Sequence, residues 1–73
     1  MITYSVLSGI VRLNKQYVTK HIAFCQNESE EGNFYFTRSD AGKVHGFDSA
    51  EALEERRQLL LNQGYMESPY VSL

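Results

Sequence analysis

Hydrophobic and polar positions divide the chain into two regimes. Up to Phe47, apolar and β-branched residues recur at every second position or in short runs between turn residues. That is the period of a strand. From Asp48 to Gly64 the pattern changes to a helical one. Residues 2–12 carry Ile2, Thr3, Tyr4, Val6, Ile10 and Val11 and predict a first strand, with Ser8-Gly9 as a bulge or a break. Leu13-Asn14-Lys15-Gln16 predicts a turn in which Asn14 takes a positive φ. Residues 16–25 predict a second strand, with Val18, Ile22 and Phe24 on its core face. A polar loop from Gln26 to Asn33 carries Glu28, Glu30 and Glu31. Residues 33–38 and 43–47 predict two more strands around the turn Ser39-Asp40-Ala41-Gly42. Simple pairing across that turn sets Phe34 against Phe47 and Phe36 against His45, which places the three phenylalanines on the core face.

The helix is predicted over about residues 49–63. Asp48 is the expected N-cap, with Glu51 completing a capping box and Ser49 as the alternative cap. Phe47 and Ala52 have the spacing of a hydrophobic staple. Gly64 is the expected left-handed C′ residue, and Tyr65 follows it for a contact back to Leu60. Leu53 and Leu60 are the expected core residues. Leu59 and Leu61 flank them on opposite sides, and the stems of Arg56 and Arg57 lie in the same apolar arc. That arc spans roughly 200°, wider than the ~100° a core-facing stripe needs. The excess, at Arg56, Leu59 and Leu61, predicts a contact surface covered by the tail, residues 66–73, or by a partner.

The expected fold is therefore α+β: one small domain over 1–73, an antiparallel meander of three to four strands followed by one C-terminal helix packed on one face (ββββα). Seventy-three residues bury little surface, so the stability margin is thin and association with a second copy is a natural remedy. A net charge of −2 and a pI near 5.6 argue against a nucleic-acid groove. The single cysteine permits no internal disulfide. No basic segment precedes the N-terminal apolar residues, and no apolar run reaches the length of a membrane span, so a soluble cytoplasmic protein without membrane contact is expected.

Candidate chemistry is sparse. His21 and Cys25 share a strand face four residues apart, His45 falls on the opposite face, and a structural zinc wants four ligands. No nucleophile has a base and an orienter, and no glycine pattern cradles a phosphate. The expectation is a non-enzymatic protein with no catalytic residue, cofactor or metal. If the helix covers one face of the sheet, Tyr17, Thr19, His21, Tyr35, Thr37 and Val44 are expected on the other. Tyrosines on a rigid sheet bury area at small entropic cost. Tyr17, Thr19, His21, Tyr35 and Thr37, with Arg56, Leu59 and Leu61 on the helix flank, are the expected protein-binding residues of a small interaction module whose partner is another protein or a second copy.

Two resemblances bear on the alternatives. Gly32-Asn33-Phe34-Tyr35-Phe36 resembles the aromatic strand of an RNA-recognition motif, though the βαββαβ order of that motif is absent. This keeps a nucleic-acid-binding sheet as a rival. Phe47-Asp48-Ser49-Ala50-Glu51-Ala52-Leu53-Glu54 resembles the strand-to-helix junction of small phage-encoded inhibitors, including type I-F anti-CRISPR proteins. The resemblance covers eight residues and implies a phage or mobile-element inhibitor that occupies a host protein surface.

Overall fold

A computed structural model describes residues 2–68. Strands β1 (Ile2–Leu13), β2 (Gln16–Ser29), β3 (Gly32–Ser39) and β4 (Val44–Phe47) follow in order, then helix α1 (Ala50–Asn62) and the two-residue strand β5 (Met66–Glu67). They form one antiparallel sheet in the order β4-β3-β2-β1-β5, and α1 packs across one face. The α+β meander expected from the pattern is the fold, with a short fifth strand added at the β1 edge. The tail expected to cover Leu59 or Leu61 lies, beyond Ser68, outside the described residues.

Turn chemistry sets the registers. Asn14 and Lys15 both have positive φ, 50° and 65°. That is the two-residue turn whose twist matches a hairpin, and it pairs Leu13 with Gln16. β1 is continuous through Gly9; its irregularity lies between Thr3 and Ser5. The extra residue there lets Tyr4 and Ser5 both turn toward the helix, while Thr3 pairs with Cys25 on the other side. β2 runs past the expected end at Cys25 as far as Ser29, because a two-residue turn at Glu30-Glu31 pairs Ser29 with Gly32. Gly32 takes φ 139°, a conformation that favours glycine.

Leu7, Phe24, Leu53 and Leu60 form the buried core, with Tyr4, Ile22, Tyr35, Phe47, Leu61 and Tyr65 packed against them. The helix ends are built as the residue types dictate. Ser49, the alternative cap, is the N-cap: its Oγ accepts from the Ala52 N–H at 3.1 Å. The cap therefore falls one residue later than Asp48, and Glu51 no longer stands at the position that completes a capping box. At the other end the Tyr65 N–H donates to the Leu60 carbonyl and the Gly64 N–H to that of Leu61, with Gly64 at φ 105°. These two bonds are the Schellman pattern. Tyr65 then lies on β1, where its ring comes within 2.7 Å of the place a Cβ on Gly9 would occupy.

Arg57 joins three elements. Its side chain pairs with Glu54 and Glu67, and its Nε donates to Ser5 Oγ at 3.2 Å. Ser5 in turn donates to Glu67 at 3.1 Å. This network attaches β5 to the helix and to β1 and satisfies Ser5, which is buried. No helix of the described residues is long and apolar enough to cross a membrane.

Burial pushes the Tyr4 phenol above its ordinary value of 10.0, and the charge of Glu54 adds to the shift. An unfolded tyrosine ionises near pH 10. The folded phenol holds its proton to higher pH, so this contribution to stability is complete below about pH 10 and is lost as pH rises through the folded value. Tyr4→Phe is expected to flatten the fall in stability above about pH 10, measured by denaturant unfolding across that range.

Candidate functional site

The two faces of the sheet are unlike. The face under α1 carries Ser5, Leu7, Ile22, Phe24, Tyr35, Thr37, His45 and Phe47. The other is open. It carries Val6, Ser8, Ile10 and Arg12 from β1, Tyr17, Thr19, His21, Ala23 and Cys25 from β2, Phe34, Phe36 and Arg38 from β3, and Val44 from β4.

Tyr17, Thr19, His21 and Val44 therefore lie where the alternation placed them, and all four are exposed. Tyr35 and Thr37 do not. The observed pairs are Phe24 with Thr37, and Tyr35 with Phe47. Both residues face the helix: Tyr35 packs against the core, and Thr37 is 9% exposed. Phe34 and Phe36, expected in the core, occupy the open face instead. The cause is the length of two loops. The two-residue turn at Glu30-Glu31 aligns the odd positions of β3 with the even, core-facing positions of β2. Ser39 to Lys43 then makes a five-residue connection, one residue longer than the expected turn, closed by the Ser39 N–H on the Lys43 carbonyl at 2.9 Å. One residue of slip moves a whole strand's side chains to the other face. Aromatic residues at both parities of Phe34-Tyr35-Phe36 hid this from a pattern reading.

Several apolar side chains of the open face are exposed. Ile10, Tyr17, Phe34, Val44 and Met66 are each more than half exposed. Phe34, Phe36 and Val44 line one shallow hollow above Gly46. Polar contacts punctuate the rest: Ser8 Oγ and His21 Nδ1 share a 2.7 Å hydrogen bond, and the Arg12 guanidinium stands 6.0 Å from the Tyr17 ring centroid. Cys25 is fully buried on this side, 3.3 Å from the Thr3 hydroxyl. His45 lies across the sheet from His21 and Cys25, so the three do not converge.

On the helix, Leu59 is 47% exposed beside Glu51, Glu54 and Glu55. Leu61 is half-buried and packs on the core. The two flanks are thus not equivalent, because the inward stripe runs through Leu53, Arg57, Leu60 and Leu61. Arg56 sits over the Phe47 ring, 5.9 Å from its centroid. Phe47 also packs against the core cluster.

Arg56 also borders a feature that the linear pattern did not reveal. A cleft of about 280 Å³ opens between the end of α1 and strands β2 to β4. Ile22, Phe47, Leu60 and Tyr65 give it apolar walls, and Lys20, Lys43, His45 and Arg56 give it basic ones. These basic residues are far apart in sequence, and only the sheet order brings them together.

The chain matches no protein-family model, no curated protein and no solved structure at a significant level.

Proposed function

We propose that this chain is a small non-enzymatic protein-interaction module that docks a partner protein on the open face of its sheet, a second copy of the chain being one such partner. The observation that carries this reading is the exposure of Ile10, Tyr17, Phe34, Val44 and Met66 on a single face. Phe34, Phe36 and Val44 gather around one hollow of this face, and a gathered apolar patch marks an interaction site more often than scattered residues do. Aromatic anchors on strands are rigid, so little side-chain entropy is lost on docking. A second sheet packing face to face is a standard way of covering such a surface. Leu59, on the outer helix surface and so on the other side of the molecule, offers a separate and smaller apolar patch.

Sedimentation velocity at micromolar concentration, together with affinity capture from the native host, tests the reading. Phe34→Asp is expected to weaken self-association or capture by tenfold or more, about the effect of losing an aromatic anchor. Because Phe34 is 58% exposed, the fold should survive the change. A monomer that captures the same proteins with and without Phe34→Asp would refute it.

One observation favours nucleic-acid binding as a second reading. Phe34 and Phe36 share the open face with Arg38, and aromatic rings beside a guanidinium group form a stacking platform for single strands. Titration with a labelled single-stranded oligonucleotide at low salt separates the two. Binding that weakens steeply with added salt supports the second reading, and none at about 50 mM salt excludes it.

A further inference from the structure

The cleft on the helix side has a marked charge preference. Lys20, Lys43 and Arg56 line it, three of the chain's seven lysines and arginines, in a chain of net charge −2. No carboxylate lines it among the described residues. Asp40, the acid of the adjoining turn, is engaged elsewhere, accepting the His21 backbone N–H at 3.0 Å. The two ion pairs among the described residues both belong to Arg57, so the three cations of the cleft have no partner charge in them.

A second observation concerns Thr37. It lines the cleft, is 9% exposed, and its hydroxyl has no hydrogen-bond partner among the described residues. That hydroxyl can therefore donate to a polar group in the cleft. Like charges gathered around one hollow repel one another until an anion lies between them.

We propose that this cleft binds a small organic anion, a phosphate or carboxylate carried on a flat apolar body. The anionic group lies among Lys20, Lys43 and Arg56 and accepts a hydrogen bond from the Thr37 hydroxyl. The Arg56 guanidinium, held over Phe47, offers a planar fork that suits either oxyanion. The apolar body rests on Phe47 and Tyr65. A volume of about 280 Å³ is small for a ligand pocket, which fits one ring and its anionic group rather than a dinucleotide. The site is on the opposite side of the sheet from the open face, so it stands or falls independently of protein docking.

Amide NMR titration of the full chain at low salt tests the proposal, with phenyl phosphate, benzoate and inorganic phosphate as probes. Phenyl phosphate or benzoate is expected to shift the amides of Lys20, Thr37 and His45 saturably, and the tighter of the two identifies the anion. Inorganic phosphate should bind about tenfold more weakly, because it leaves the aromatic wall uncovered. Lys20→Glu and Lys43→Glu change exposed side chains and should preserve the fold. Each is expected to weaken binding by about tenfold or more. Shifts that do not saturate, that persist unchanged in the Lys20→Glu/Lys43→Glu double variant, or that fall only around Arg12 and Lys15 would overturn it.

Discussion

Phe24→Ala is expected to be the most damaging single substitution, removing about 3–5 kcal/mol of stability. Phe24 is fully buried on a central strand and is the largest side chain in a core otherwise made by Leu7, Leu53 and Leu60. Truncating it loses the transfer energy of the ring and leaves a void bordered by those leucines and by Tyr4, whose ring centroid is 6.5 Å away. A chain of this size has about 4–10 kcal/mol in total, so the change takes a large share of the margin. Urea unfolding followed by circular dichroism should show the midpoint falling by on the order of 3 M. Phe24→Leu keeps most of the volume and is expected to cost about 1–1.5 kcal/mol. Equal effects from the two substitutions would mean that this core does not depend on filling that space.

Gly9→Val is expected to cost about 1–3 kcal/mol and to detach the C-terminal end of the helix from the sheet. Valine favours strands, so propensity alone predicts a gain in stability. The tertiary contact reverses the sign. A Cβ on Gly9 would lie 2.7 Å from Tyr65 Cδ2 and Cε2 and 2.8 Å from Cγ, so the whole ring would have to move. Tyr65 is tied to Leu60 through its backbone N–H, which limits how far it can retreat. Glycine within a strand often marks such a close approach. In a Tyr65→Ala background the clash is gone, and Gly9→Val should then be neutral or stabilising. A double-mutant cycle by denaturant unfolding reads the coupling directly, and additive effects would show that ring and glycine do not interact.

Gly9 also shows where sequence reading stops. Ser8-Gly9 breaks the strand pattern, which suggests a bulge or an end. The break is instead a vacancy for a ring 56 positions later, and the true irregularity is at Tyr4. The helix was far more legible. Leu53 and Leu60 are its buried residues, Gly64 takes the left-handed position, and Tyr65 closes the C-terminus. Helix ends are encoded by neighbouring residues through short-range hydrogen bonds, so local sequence specifies them to within a position. Even there, Ser49 and Asp48 compete for one role, and their order along the chain does not settle it.

The candidate site was less legible than the fold. Tyr17, Thr19 and His21 were placed correctly because the first hairpin has a turn of defined geometry. Tyr35 and Thr37 were exchanged with Phe34 and Phe36 because loop length, not residue type, decides which parity of β3 faces the helix. The exchange strengthens the case for the open face, since two phenylalanines replace a tyrosine and a threonine there.

By itself, then, the sequence determined the presence and order of four strands and one helix, the turn at Asn14-Lys15, the C-terminal end of α1 and the α+β class. All of these follow from contacts within a few residues or from periodicity. Only the tertiary structure decided which face of β3 is covered, that Gly9 makes room for Tyr65, and that Lys20, Lys43 and Arg56 line one cleft. Each of these depends on register or on pairing between distant strands, where a shift of a single residue changes the outcome while the local sequence stays the same.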